Sequence, residues 1–229
     1  MNFIYTLISS LLSISMMVII SIFTKRMRSS SVIFSVSAGI IIFICVKGIF
    51  AECGWGFAAL FGVKIGIAVQ VVLFAAGVFF FRALAHDNSS AVKESRLPGF
   101  CALTCFGLGK GMLRNYEVLY DPKLYIFGDA AEFAFIALSL GYISSHSDRN
   151  KSAVTVAEAS LILIMRTIAV MIYRSASPAE NEFAALVLML MGMAGFICEF
   201  ASAFGEKRDI SAVGLAAGVT ISFCISSIS

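Results

Sequence analysis

Long apolar runs separated by short polar breaks occupy the chain from one end to the other. Most of these runs reach the ~20 residues that an α-helix needs to cross a hydrocarbon core about 30 Å thick. The pattern predicts an all-α, polytopic transmembrane helical bundle of about eight spans, with short loops and no soluble domain. The expected spans are residues 3–23, 32–50, 57–81, 97–113, 124–143, 152–173, 183–204 and 210–228.

The fourth run, residues 97–113, is the weak point of this topology because it has only 17 residues and ends near Lys110. If it does not cross, the bundle has seven spans and every later segment inverts. The first run, residues 3–23, is expected to be an uncleaved span. No basic residue precedes it, and it is longer than the apolar core of a signal peptide.

All three prolines lie in the polar breaks and mark helix starts. Asp121 precedes Pro122, and a capping box begins at Ser177, just before Pro178. Proline suits the first position of a helix because the amide hydrogen that it lacks has no partner there. Helices are therefore predicted to begin at Pro122, at Pro178 and, in a similar way, near Pro98.

Composition supports a membrane protein and excludes several other classes. Of the 229 residues, 59% are apolar and 14% are charged, and the mean hydropathy is +0.94. Soluble domains carry roughly 25% charged residues, so a soluble enzyme, a disordered chain and a disulfide scaffold are excluded. Five of the six cysteines fall in apolar runs and are expected to act as small apolar side chains. With only two histidines, both outside these runs, no metal or cofactor is predicted.

Basic residues in the breaks predict the orientation, because cytoplasmic loops are enriched in Lys and Arg. With the N-terminus outside, ten loop Lys and Arg residues lie in the cytoplasm and three lie outside. We therefore expect a multi-pass protein of a plasma membrane or bacterial inner membrane, with both termini outside. The short basic loops are explained by topology, so no nucleic-acid partner is expected.

Eight charged residues fall inside the expected spans, where each costs at least about 2.5–3.5 kcal/mol near the bilayer centre. Two of them, Lys47 and Lys110, lie near the outer ends of their helices and are expected to snorkel to the interface. Four others share one layer in the outer half and form the candidate substrate or ion site. These four residues are Lys64, Asp129, Glu132 and Arg166.

The outer layer has two interpretations. Asp129 and Glu132 are three residues apart and project from one helix face toward the two basic residues. The group is either a buried ion-pair cluster that fixes helix register or a polar cavity open to the outside. Counting Lys47 and Lys110, this layer carries a net charge of +2 and would attract anions.

Two further acids, Glu158 and Glu199, lie toward the inner ends of their spans and complete the candidate ion-binding set. No basic residue inside a span shares their depth, so they are expected to serve as inner coupling groups of a proton or cation relay. The alternative is that each pairs with basic residues at the inner interface, namely Arg149, Lys151, Lys207 and Arg208.

Three pairs of glycines have the spacing that lets helix backbones approach closely. Packing within the chain is the preferred interpretation, and a contact in a homo-oligomer or with a partner subunit is the alternative. The pairs are Gly62/Gly66, Gly107/Gly111 and Gly214/Gly218.

The leading functional hypothesis is a transporter or channel-like protein that moves a small solute or ion through a polar intramembrane site. The alternative is a non-catalytic membrane subunit of a larger secretion, conjugation or defence assembly. An intramembrane enzyme is third, with Asp129 and Glu132 as acid and base. Since the chain contains no hydrolase, zinc-protease or P-loop motif, no catalytic residues and no enzymatic activity are expected.

Overall fold

The computed structural model describes residues 2–24, 30–86, 97–113, 122–144, 151–172, 178–205 and 210–226. Within these ranges nearly every residue is helical and there is no strand, so the all-α prediction is confirmed for them. The helices are α1 Asn2–Thr24, α2 Ser30–Phe43, α3 Ala51–Phe61, α4 Val63–His86, α5 Leu97–Leu113, α6 Pro122–Ser144, α7 Lys151–Ile172, α8 Pro178–Gly205 and α9 Ala212–Ser226. A π-helical segment, Ile44–Phe50, joins α2 to α3.

Two proline-marked starts are confirmed, because α6 begins at Pro122 and α8 begins at Pro178. α5 begins at Leu97, one residue before Pro98. The capping residues Asp121 and Ser177 lie outside the described residues.

Six helical stretches of the described chain are long and apolar enough to cross a membrane. They indicate a multi-pass membrane protein. These stretches are Phe3–Ile22, Val32–Phe61, Val63–Leu84, Ile126–Ile143, Thr155–Ile172 and Glu180–Ala201. The apolar stretch in α9, Ala212–Cys224, is shorter.

The turn between the second and third apolar runs differs from the sequence prediction. A break was expected at residues 51–56, but the chain stays helical to Phe61 and turns at Gly62, whose φ is +80°. Residues 51–56 contain a single charged side chain, and Cys53 in this stretch is fully buried in the core. Glycine adopts a positive φ without steric cost, so the chain reverses its direction at Gly62 rather than within residues 51–56.

Residue contacts give the relative directions of the helices. Along α5, Gly107 packs on Ile162 and Gly111 packs on Arg166, so α5 and α7 run parallel. By contrast, Gly109 lies against Met189 while Ala102 lies against both Gly192 and Gly195, so α5 and α8 run antiparallel. Contacts of the same kind make α6 antiparallel to α7 and α4 parallel to α8.

α2 and α9 run parallel and approach until their backbones touch. A Cβ on Gly218 would collide with the carbonyl oxygen of Val36, and one on Gly39 would collide with the carbonyl oxygen of Leu215. A side chain does not fit between two backbones that approach this closely, so both helices need small residues at the contact. Two predicted glycine pairs, Gly107/Gly111 and Gly214/Gly218, therefore face neighbouring helices of the same chain.

The core lies around α6 and α8 and contains both aromatic and small residues. Phe106 of α5 stacks on Phe133 of α6 with 6.4 Å between ring centroids, and it contacts Phe196 of α8 at 5.7 Å. α4 is peripheral and turns large apolar side chains outward, among them Val72 and Phe79. A bilayer would cover this apolar face of α4. Polar groups are positioned instead by the buried side of the bundle.

The α2–α9 contact predicts the cost of filling it. Replacing Gly218 with Val places branched atoms against the backbone of α2, and overpacking of this kind costs about 1–3 kcal/mol. Ala216→Val introduces the same side chain at an exposed position of α9, adding two carbons rather than three, and should cost less than about 0.5 kcal/mol. Equilibrium unfolding in detergent, followed by circular dichroism, measures both; equal losses would contradict the contact.

Candidate functional site

A buried ion pair joins α6 to α7. The Nη2 atom of Arg166 donates a hydrogen bond to Oδ2 of Asp129 at 2.6 Å. The two side chains are 1% and 3% exposed, respectively. The hydroxyl of Ser9 on α1 donates to the same carboxylate oxygen. Removing two charges from water costs several kcal/mol each, so their mutual attraction and the additional hydroxyl are needed to hold them in the bundle.

α1 contributes further hydroxyl groups around this pair. Ser13 donates to the backbone carbonyl of Ala130 at 3.0 Å, and the hydroxyls of Ser10 and Thr167 lie 3.2 Å apart. Ser9, Ser10 and Ser13 are all buried, although α1 also exposes many apolar side chains. The side of α1 that faces α6 and α7 is therefore held by hydrogen bonds.

The guanidinium of Arg166 is only partly satisfied. Within the part of the chain that the structure describes, its Nε atom is buried and has no hydrogen-bond acceptor. Its Cζ atom lies 6.0 Å from the ring centroid of Phe133, within reach of a cation–π attraction. Gly111 of α5 packs against the stem of Arg166, where a Cβ would come within 2.8 Å of Cγ.

A second group of charges meets beside the first, where α3, α5 and α6 come together. Nζ of Lys110 lies 2.8 Å from Oε2 of Glu52 and 4.0 Å from Oε1 of Glu132. The Lys110 side chain is 11% exposed, and those of Glu52 and Glu132 are 32% and 15% exposed. We call these three residues the triad, and the triad with Asp129 and Arg166 the charged cluster.

The structure brings three predicted site residues together: Asp129, Glu132 and Arg166 all belong to the charged cluster. Their shared depth placed the two acids opposite Lys64 and Arg166 without assigning pairs, and the structure pairs Asp129 with Arg166. Asp129 and Glu132 both face neighbouring helices from α6, as their spacing of three residues predicts. Glu132 pairs with Lys110 of α5, at 4.0 Å.

Lys64 does not belong to the charged cluster. It is exposed at the second position of α4, directly after the turn at Gly62, because that turn lies farther along the chain than expected. It forms no ion pair with any described residue. Its predicted place, about 10 Å inside a helix that begins at residue 57, was wrong.

Lys110 and Glu52 replace Lys64 in the site. Lys110 was expected to snorkel, but it is buried and bonded to Glu52, which was expected in a loop. Lys47 is exposed in the π-helical segment and lies outside the cluster. The cluster's described members therefore carry a net charge of −1, not the +2 predicted for this layer, and favour cations over anions.

The two inner acids are half-buried on different helices. Glu158 of α7 and Thr155 line a shallow cleft of about 20 Å³, whose other walls come from Gly99, Phe100 and Leu103 of α5 and Ala137, Leu140 and Gly141 of α6. Glu199 lies on α8. The basic residues proposed as their partners fall outside the described side chains, so that alternative stays a prediction.

Sequence reasoning missed three contributors to the site: Lys110, which was expected to snorkel, and Ser9 and Glu52, which were missed for different reasons. Ser9 belongs to a row of hydroxyl residues on α1, and its spacing from Ser13 and Thr6 by three or four positions was a readable signal. Glu52 could be found only by recognising that the helix continues through residues 51–56.

No group of three or more His, Cys, Asp or Glu among the described residues is arranged to hold a metal ion. All six cysteines are free thiols. No protein-family model matches this chain, and no curated protein sequence matches it.

The buried pair predicts a non-additive response to mutation. Asp129→Asn or Arg166→Gln alone leaves one buried charge without its partner and should cost about 3–5 kcal/mol. The double variant removes both charges and should cost less than the sum of the two. Equilibrium unfolding in mixed detergent micelles measures this double-mutant cycle.

Arg82→Gln, an exposed change on α4, is the matched control and should cost less than about 0.5 kcal/mol. Additive losses for Asp129→Asn and Arg166→Gln would mean that the two side chains are not energetically coupled.

Proposed function

We propose that this protein moves a small solute or ion across a membrane, and that the charged cluster is its polar intramembrane site. The observation that carries the proposal is the meeting of five charged side chains from α3, α5, α6 and α7 inside an apolar bundle. Charged residues inside transmembrane segments are rare, and they commonly mark substrate and ion pathways.

Incomplete pairing within the cluster supports a site over a purely structural role. Nε of Arg166 has no acceptor among the described residues, and Glu132 lies 4.0 Å from its cation. A partly satisfied buried network is more costly than a fully satisfied one. Glu132 can gain from a transported cation, and the Nε–H donor of Arg166 can gain from a water oxygen, whereas a helix-register device gains most from complete pairing.

Exposure decreases through the cluster in steps. The side chain of Glu52 is 32% exposed, that of Glu132 is 15% exposed, and that of Asp129 is 3% exposed. A cation entering beside Glu52 would therefore meet carboxylates of increasing burial. The net charge of −1 on the described members favours a cation or proton over an anion.

We further propose eight crossings, with α5 included and with α2, the π-helical segment and α3 counted as one span. Alternating helix directions support this count, since α5 runs antiparallel to α8 and parallel to α7. Loop charges then favour both termini outside, in a plasma or bacterial inner membrane, with the cluster in the outer half. Glu158 and Glu199 would serve as coupling groups in the inner half.

A membrane subunit of a larger assembly is the second candidate. The nearly complete burial of Asp129 and Arg166 favours it, because so little solvent reaches them. It predicts stoichiometric co-purification of other polypeptides from native membranes and no flux through the protein alone.

Ion flux tests the transport proposal. Purified protein in liposomes is given gradients of H⁺, Na⁺ or Cl⁻ under a K⁺–valinomycin potential, and each flux is followed with an ion-sensitive dye. Glu132→Gln should reduce cation flux by roughly tenfold, equivalent to about 1.4 kcal/mol, because it removes a carboxylate from the proposed path.

Glu180→Gln is the control, since it removes an exposed acid from the first turn of α8. It should leave the flux unchanged. Flux no greater than that of protein-free liposomes, or equal loss in both variants, would contradict the proposal.

A further inference from the structure

We propose that the triad binds one exchangeable proton, shared between Glu52 and Glu132, and that H⁺ is therefore the ion that the charged cluster handles. This inference rests on the proposed function for its role in transport, but proton binding by the triad can be tested separately. It is carried by the geometry of three side chains from three helices.

The triad contains two carboxylates and one ammonium group. Nζ of Lys110 is at hydrogen-bond distance from Glu52, 2.8 Å, and is farther from Glu132, 4.0 Å. Among the described residues, no other basic group lies within ion-pair distance of either carboxylate. Lys110 can neutralise one of the two acids, and the other requires a second positive charge in a medium that screens charges poorly.

The backbone of Lys110 is fixed while its side chain can move. A Cβ on Gly109 would lie 2.7 Å from the carbonyl oxygen of Ala185 on α8, and Gly111 is packed against Arg166 of α7. α5 is therefore held between α7 and α8 on both sides of Lys110. A lysine side chain has a flexible four-carbon stem, so the ammonium can move between Glu52 and Glu132 without displacing α5.

Glu52 lies at a point where the helix departs from regular geometry. It follows the π-helical segment Ile44–Phe50, and π-helical turns are rare and often occur at functional sites. Nε2 of the buried Gln70 on α4 donates to the carbonyl oxygen of Phe50 at 2.7 Å. A side chain thus supports the backbone just before Glu52 and holds this carboxylate opposite Lys110.

A proton fits the triad better than a metal cation. Hard metal ions are held by several oxygen ligands at short range, whereas the described triad offers two carboxylates with an ammonium already between them. A proton needs only one carboxylate oxygen.

On uptake, an O–H bond forms on Glu52, whose ion pair with Lys110 is replaced by a weaker neutral contact. The ammonium then pairs with Glu132, and the net charge of the triad changes from −1 to zero. Release reverses these changes, and no other bond is made or broken.

Other charged groups on the helices packed around the triad contribute to its field. Among the described side chains they are Asp129 on α6, Arg166 and Glu158 on α7, Lys64 and Arg82 on α4, Glu180, Glu182 and Glu199 on α8, and Lys47 in the π-helical segment. Asp129 and Arg166 compensate each other at 2.6 Å. Lys64 and Glu180 are exposed at the starts of their helices, where solvent screens them, and Lys47 is exposed on the π-helical segment.

Non-additive proton uptake tests the proposal. Protein in detergent micelles is titrated from neutral pH only to about pH 5.5, where an ordinary glutamate with a pKa of about 4.3 is still ionised. Bound protons are counted potentiometrically, and the carboxylic-acid C=O band is followed by infrared difference spectroscopy. Glu52→Gln and Glu132→Gln should each lose the same single proton, because either change leaves one carboxylate already matched by Lys110. The double variant should lose no more than either single variant.

Two matched sets of variants complete the test. Lys110→Met leaves two uncompensated carboxylates and should increase uptake by one proton. Glu180→Gln and Glu182→Gln, on the first turns of α8, remove acids outside the triad and should leave the uptake in this pH range unchanged. Should Glu132→Gln fail to fold, Glu52→Gln with Lys110→Met still decides, because Glu52 is the more exposed acid.

Additive loss in the Glu52/Glu132 pair, or unchanged uptake in Lys110→Met, would overturn the shared proton. Non-additive uptake in a protein that carries no ion flux would retain the shared proton and remove the transport proposal. H⁺ flux in a protein whose Glu52 and Glu132 variants lose protons additively would retain the transport proposal and remove the shared proton.

Discussion

The bundle is organised around the cost of keeping charge away from water. Asp129 and Arg166 are almost fully buried, so each requires the other, and that requirement fixes α6 against α7 at one register. Ser9 adds α1 to the same contact through its hydroxyl. Because helices in a bilayer gain little from apolar burial against one another, a pair that cannot separate without exposing a bare charge is a stronger constraint than any single apolar contact.

Glycines make the charged contacts geometrically accessible. Gly111 lets α5 approach the stem of Arg166, and Gly109 on the other side of Lys110 lets the same helix approach α8. A larger residue at either position would push α5 outward and lengthen the distance from Lys110 to its carboxylates. Packing and electrostatics therefore depend on one another here. The small residues allow the helices to approach closely, and the ion pairs stabilise that close approach.

Much of this arrangement was readable from the sequence, and the failures have a common physical cause. Hydropathy found the helices, and spacing placed Asp129 and Glu132 on one face. Depth was measured from predicted helix ends, so one misplaced turn moved Lys64 into the site and Glu52 out of it. The turn depends on Gly62 adopting a positive φ, a local conformation that hydropathy does not report. Lateral neighbours such as Lys110 and Glu52 depend on packing, which has no signal in a single sequence.

The two halves of the charged cluster differ in what they can do. Asp129 and Arg166 are almost fully buried and bonded to each other at 2.6 Å, so changing their partners would require helices to separate. Lys110 has a fixed backbone, a flexible stem and two carboxylates within reach, so changing partners requires only side-chain rotation. A membrane protein that must load and release an ion needs a rigid frame and a low-cost exchange within it. In the transport that we propose, the buried pair would form the frame, and the triad beside it would be the part that exchanges.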